Sequence, residues 1–342
     1  MSWITDSGPM RDVVISSRVR LARNISGLPF PVIMDRETAL ETMDKIYNGI
    51  MSSNSALVDQ LKFIPMHELD PVERNILVEK HLVSSELVQR ADYTGLIIDD
   101  NEEICIMLNE EDHIRLQCIL AGYQLEEAWD TLDKVDDLVE ENIEYSYHET
   151  LGYITSCPTN LGTGMRASVM LHLPALVHGG HINAILQTIS KIGLTARGLY
   201  GEGSEALGNI FQLSNQVTLG PTEEELISNL QIVVKQITDK EKLTREAIHK
   251  ANGVEFEDNI YRSLGILKYA KKLSMKEFMA LLSQVRLGVS MGIIEDIDLK
   301  DIDKIMILGQ SANLHSYATE QNSLETDMDI IRAEVVGRLI HG

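Results

Sequence analysis

Val13, Ile15, Val19 and Leu21 alternate with polar partners, a two-residue period that predicts an extended strand with Arg18 and Arg20 on one face. The alternation returns over residues 166–173. There Arg166, Ser168, Met170 and His172 point one way, and Ala167, Val169, Leu171 and Leu173 the other. One face then walls a site and the other belongs to a core. Thr94 to Ile98 and Ile104 to Leu108 are apolar runs separated by Asp99-Asp100-Asn101-Glu102-Glu103, which reads as a hairpin.

The pattern changes after Gly220. Pro221-Thr222-Glu223-Glu224-Glu225 places a proline and three acids where a helix N-terminus favours them, and predicts a long helix ending near Asn252-Gly253. Beyond it the alternation disappears. Ser274-Met275-Lys276-Glu277 reads as a capping box before the apolar run from Phe278 to Ile294, and another helix fits residues 325–340. A domain boundary is therefore expected near residue 250, with an all-helical unit after it.

A chain of 342 residues, 44% hydrophobic and 24% charged, can bury one large core or a large and a small one. Thirty Lys plus Arg against 52 Asp plus Glu give a net charge of −22, which repels a nucleic-acid backbone and an anionic bilayer and favours basic partners. The three cysteines, 105, 118 and 157, form no Cys-x-x-Cys pair and no metal spacing with histidine. A reduced, cytoplasmic protein without a directly ligated metal is expected. No signal peptide and no membrane span is predicted.

The densest chemistry lies in Cys157-Pro158-Thr159-Asn160-Leu161-Gly162-Thr163-Gly164-Met165-Arg166-Ala167-Ser168, where a thiol, a glycine-rich turn and an arginine opening a strand meet. Phosphoryl transfer needs cations around the phosphates, alignment, and a group that readies the acceptor. Arg18, Arg20, Arg115, Arg166 and Arg197 could supply the cations, although each alone also reads as a surface ion-pair partner. Asn109-Glu110-Glu111-Asp112-His113 reads either as a base among crowded acids or as a solvated acidic turn. Glu202 is a second carboxylate, in the glycine-rich stretch after Arg197. Cys157 is either a stabilised thiolate or an ordinary buried cysteine. No Walker A pattern is present, and Gly201-x-Gly203 with Gly208 is not a dinucleotide fingerprint.

Four ordered blocks carry a resemblance: Ser16-Ser17-Arg18-Val19-Arg20, Asn109 to Arg115, Cys157 to Pro174, and Arg197 to Glu202, followed by Asn215 and Gly220. Together they resemble the catalytic domain of phosphagen (guanidino) kinases. The resemblance implies an α+β fold: a phosphagen-kinase-like catalytic domain over residues 1–250, with a large, mostly antiparallel sheet flanked by helices, and a small all-helical C-terminal domain over residues 255–342. It implies ATP as donor, with Mg2+ held mainly by the nucleotide and water. The nucleotide-binding positions would be Ser16, Ser17, Arg18, Val19, Arg20, His81, Arg115, Arg166, Ala167, Ser168, Val169, Met170, Arg197, Gly198, Leu199, Tyr200 and Gly201. Glu111 would be the main carboxylate on the guanidine, with Glu110 near magnesium and Cys157 against the reacting group. Glu202 matches the second carboxylate of arginine-specific members.

Two features narrow the resemblance. Only a short tail precedes the first strand, where small-metabolite members carry a helical domain whose loop closes on a free amino acid, and Met170 stands where they have a histidine. An open site and a helical C-terminal unit resemble the bacterial protein arginine kinase (McsB) family. That implies phosphorylation of exposed arginines on proteins, marking them for a Clp-type protease, action on a heat-shock repressor, stimulation by a zinc-binding activator, and a homodimer formed through the C-terminal domain. The family's phosphoarginine pocket motif, Arg-Asp-x-x-Arg-Ala, reads here Met328-Asp329-Ile330-Ile331-Arg332-Ala333, so Asp329 and Arg332 stand without the first arginine. A kinase of free arginine and a non-catalytic, kinase-like adaptor are the alternatives.

Overall fold

The computed structural model describes residues 2–198, 206–321 and 326–341. In chain order the elements are α1 (Ser2–Thr5), β1 (Val14–Arg23), α2 (Arg36–Met51), β2 (Leu61–Pro65), α3 (Pro71–Glu79), α4 (Ser85–Gln89), β3 (Gly95–Asp99), β4 (Ile104–Leu108), β5 (Ile114–Ala121) and α5 (Leu125–Glu140). A short hairpin, β6 (Tyr147–His148) and β7 (Gly152–Tyr153), precedes β8 (Met165–His172). Then come α6 (Pro174–His178), α7 (Ile182–Lys191), β9 (Leu194–Gly198), β10 (Ile210–Asn215), α8 (Glu223–Tyr269), α9 (Met275–Ser290), α10 (Leu299–Leu308), α11 (Ser311–Glu320) and α12 (Met328–His341).

Among the described residues eight strands form one sheet in the order β2-β3-β4-β5-β1-β8-β10-β9, with every neighbouring pair antiparallel. The predicted hairpin is β3–β4, and the two alternating segments are the adjacent strands β1 and β8. Side chains on opposite faces of the sheet enter different cores. Val19, Leu21, Leu116, Ala167, Val169 and Leu213 pack with Leu132 and Val135 of α5 and Leu230 and Val234 of α8. On the other face Ile15, Cys105, Met107, Ile119 and Met170 join a cluster that includes Trp3, Leu82, Phe278, Met279 and Ile302, so the C-terminal helices share a core with the sheet.

Helix starts follow the sequence closely. Asp35 caps α2, Asp70 forms a capping box with Glu73 on α3, and Thr222 forms one with Glu225 on α8. Ser274 accepts from the Glu277 amide at 3.3 Å, so the Ser274 half of the box predicted there is formed. The end of α8 differs from expectation. The helix runs through Asn252-Gly253 to Tyr269, and only Asn252 leaves helical geometry (φ −137°, ψ 43°). Ile260, Leu264 and Leu267 beyond the kink are buried in the cluster that also takes in α9, and this packing carries the helix past two residues that would otherwise stop it. No helix among the described residues is long and apolar enough to cross a membrane.

Candidate active site

Residues directly opposite each other in a ladder share a face of the sheet. Arg18 lies opposite Ser168, Arg20 opposite Arg166, and Ala22 opposite Arg115. Ser16 lies opposite Met170, Met170 opposite Gln212, and Gln212 opposite Arg197. Arg18, Arg20, Arg115, Arg166 and Arg197 therefore stand on one face, drawn from four strands.

The electrostatics show what such a face lacks. Burial, then the Arg115 and Arg166 charges, lower the Arg18 pKa to about 10. Arg20 is held well below its ordinary value, first by burial and then by Arg18, Arg115 and Arg166, with Glu110 pulling the other way. The Arg20 Nε is buried with no hydrogen-bond partner among the described residues. Two guanidiniums, Arg18 and Arg20, whose pKa values neighbouring cations depress, one of them with a buried donor unused, fit a polyanion. Arg18 Nε donates weakly to Ser168 Oγ at 3.5 Å.

His81 belongs to the same wall. Its backbone is left-handed (φ 59°), its ring lies 5.8 Å from that of Trp3, and its carbonyl accepts from Gln117, which faces Arg20 across the ladder. Burial and the Arg18 charge bring its pKa down to about 3, so the imidazole is neutral. Gln117 carries no sequence signal of its own.

Not every expected position reaches this face. Val19, Ala167 and Val169 turn into the opposite core, and Ser17 donates to the Gly122 carbonyl and accepts from the Gln124 amide. Gly198 pairs with Phe211 at the end of β9. Leu199, Tyr200, Gly201 and Glu202 lie outside the described residues.

The acidic segment is a tight connection between β4 and β5, closed by the Asn109 amide donating to the His113 carbonyl at 2.9 Å with Asn109 left-handed (φ 57°). It is not a solvated turn, because Glu110 is 1% exposed and Asp112 and His113 are fully buried. Glu110 Oε1 accepts from Arg115 Nη1 and Ser84 Oγ, both at 2.5 Å, and Oε2 accepts from the Glu111 amide at 3.1 Å. Asp112 accepts from Asn24 Nδ2 at 2.6 Å and from the Ser156 amide at 2.7 Å, which ties the acidic connection to the segment entering Cys157. Burial raises the Asp112 pKa against those bonds.

Glu111 is the partly exposed member. Burial raises its pKa, and the Asp112 and Glu110 charges add to this while Arg115 and a hydrogen bond with Cys157 oppose it. Arg115 Nη2 reaches Glu111 at 3.4 Å. Cys157 Sγ also lies 3.0 Å from Thr159 Oγ1, so among the described residues the thiol's partners are a carboxylate and a hydroxyl rather than a cation.

The turn after Cys157 is pinned from the end of β10 and the residues that follow it. Thr218 Oγ1 donates to the Leu161 and Thr159 carbonyls, and Asn215 accepts from the Ala167 amide while donating to the Met165 and Val217 carbonyls. Gly162 has φ 103°, and a Cβ there would lie 2.2 Å from the Thr218 carbonyl oxygen, so the turn admits only glycine. Arg115 is thus the hinge of the arrangement: it stands on the cationic face and touches both Glu110 and Glu111.

Residues 42–244 match the ATP:guanido phosphotransferase C-terminal catalytic domain, and residues 253–341 match the protein-arginine kinase McsB C-terminal domain. A protein-arginine kinase of Caldanaerobacter subterraneus subsp. tengcongensis is 49% identical over 95% of this chain and 96% of its own length. One of Bacillus subtilis is 43% identical over 99% and 93%. The chain belongs to the protein-arginine kinase family. The kinase also shares its fold with solved guanidino kinases. The duplicated taurocyamine kinase of Schistosoma mansoni superposes with a TM-score of 0.61 at 27% identity, over 70% of this chain and 34% of that one. A lombricine kinase gives 0.58 at 26%, over 68% and 67%.

The buried imidazoles make the kinase sensitive to mild acid. His113 accepts from the Ile25 amide through Nδ1 and donates to the Pro29 carbonyl through Nε2, a neutral tautomer whose pKa burial brings down to about 4. His172 is lowered well below 6.5 by burial, then by Arg286 and Arg245. A folded-state pKa below the unfolded one gives stability that is present above pH 6.5 and lost as pH falls toward the folded value. Between pH 7.5 and 5.5 His113 and His172, both fully buried, should each cost about 1 kcal/mol of stability. Denaturant unfolding at the two pH values checks this, and an unchanged midpoint would contradict the burial argument.

Proposed function

We propose that the kinase transfers the γ-phosphoryl group of ATP to arginine side chains of proteins. The observation that carries this reading is the convergence of five arginines on one sheet face, joined through Arg115 to the Glu110 and Glu111 carboxylates beside Cys157. The arginine face holds the triphosphate, with His81 beside the nucleotide's other end. Both Glu110 oxygens are already hydrogen bonded, which suits a magnesium carried by the nucleotide and water. The metal neutralises phosphate charge when bound.

An arginine guanidinium is protonated at neutral pH and is a poor nucleophile until a proton leaves it. Glu111 takes that proton from the attacking nitrogen. A nitrogen–phosphorus bond forms as the bond from the γ-phosphorus to the β,γ-bridging oxygen breaks, and ADP leaves with the bond's electron pair. Arg18, Arg20, Arg115, Arg166 and Arg197 hold the charge that develops on the departing and transferred groups. Glu202 is the second carboxylate in this reading, and Asp329 and Arg332 the remnant of a phosphoarginine pocket. Arg332 donates to the Gly309 and Leu273 carbonyls and to Asp329, so its guanidinium already serves the C-terminal fold.

We further infer a cytoplasmic homodimer that marks proteins for Clp-type degradation and acts on a heat-shock repressor with a zinc-binding activator, on the strength of family membership. The direct test is incubation with ATP and either free arginine or a folded, arginine-rich protein. Acid-labile label on the protein and none on free arginine is the expected result. Label on free arginine alone would favour a small-molecule guanidino kinase, and no transfer at all an adaptor.

A further inference from the structure

We propose that Ser84 is a positioning residue for phosphoryl transfer: its hydroxyl fixes the Glu110 carboxylate and thereby the fork of Arg115. Ser84 precedes α4 and does two things with one oxygen. It accepts the Leu87 amide at 3.2 Å as the helix cap, and it donates its proton to Glu110 Oε1 at 2.5 Å. The same Oε1 takes Arg115 Nη1, while Nη2 of that guanidinium extends to Glu111 at 3.4 Å. A planar guanidinium cannot move one nitrogen without the other, so the place of Glu110 sets how Arg115 presents itself to Glu111 and to the arginine face. At 1% exposure the Glu110 carboxylate has no ready access to water that would replace a lost donor.

The backbone of Glu110 is held separately. Arg90 donates through Nη1 to the Glu110 carbonyl at 2.8 Å and through Nη2 to the Pro31 carbonyl, so loss of the Ser84 proton leaves the carboxylate to Arg115 and the Glu111 amide without releasing the chain. The effect should therefore fall on alignment in the transition state rather than on nucleotide affinity, which the other arginines sustain.

This inference rests on the arginine-kinase reading, and the test separates the two. Glycine is tolerated at a helix cap nearly as well as serine but donates nothing from a side chain, whereas asparagine both caps and donates. In the full-length protein Ser84→Gly should lower kcat for protein-arginine phosphorylation about ten-fold. The dissociation constant of ATP·Mg2+ by calorimetry should shift less than about two-fold, with the variant still folded at the assay temperature. Ser84→Asn should restore most of the rate. A wild-type kcat in Ser84→Gly, or a loss that Ser84→Asn does not repair, overturns the assignment. If the wild-type protein phosphorylates no arginine at all, the arginine reading falls on its own, and the same comparison is made on ATP hydrolysis, where equal rates overturn the role of Ser84.

Discussion

Glu111→Gln is expected to lower kcat by about 10²-fold or more while leaving ATP binding nearly intact. The amide keeps the shape of the side chain and a carbonyl oxygen for Arg115, but it cannot take a proton. In the proposed reading the nucleotide is gripped elsewhere, on the face built from β1, β5, β8 and β9, so calorimetry with ATP should not distinguish the variant from the wild type. The pH profile sharpens the test. Burial and the neighbouring Asp112 and Glu110 hold the Glu111 pKa above the ordinary carboxylate value, so the wild-type rate should fall on the acid side at a pH above 4.5. The residual activity of the variant should lack that limb. An equal loss of ATP affinity in Glu111→Gln would move the residue from the acceptor to the nucleotide.

The alternation of β1 and β8 is enough to place Arg18 and Arg20 on one face of their strand and Arg166 on one face of its own, because a period of two is a local property of the chain. That these join Arg115 and Arg197 depends on register, which ladders residues from distant parts of the sequence. The acidic run was visible as a cluster, yet its burial was not. Ser84 and Arg90, which satisfy Glu110, stand 26 and 20 residues before it and carry no motif. Local signals also misjudge α8, since Asn252-Gly253 is a reasonable helix stop until Leu264 and Leu267 find a core to fill. Cys157 shows the opposite limit: its position before a glycine-rich turn is plain in the sequence, while its pairing with Glu111 rather than with a cation belongs to the fold.

Asp303→Ala should destabilise the protein by about 3–5 kcal/mol, a large share of the margin by which a folded domain survives. Asp303 is fully buried, and Oδ2 accepts from Arg11 Nε at 3.1 Å and from Arg286 Nη2 at 3.4 Å, while Arg286 Nε lies 3.2 Å from Oδ1. Arg11 and Arg286 are 8% and 2% exposed, so removing the carboxylate leaves two guanidiniums without their counter-charge in a place water scarcely reaches. Burial already lowers the Arg286 pKa, and Asp303, ahead of Asp12, offsets it against the Arg245 and Arg11 charges. The contact also joins distant parts of the chain: Arg11 lies three residues before β1, and Asp303 sits on α10 among the C-terminal helices. Denaturant unfolding of Asp303→Ala measures the loss. The triple variant Arg11→Met, Asp303→Leu, Arg286→Met separates an unpaired-charge penalty from a packing defect, because replacing a whole buried ionic group by apolar side chains of similar volume is often neutral or stabilising. Recovery of most of the lost stability in the triple variant is the expected result. A triple variant as unstable as Asp303→Ala would mean that shape, and not charge, holds the C-terminal helices to the sheet.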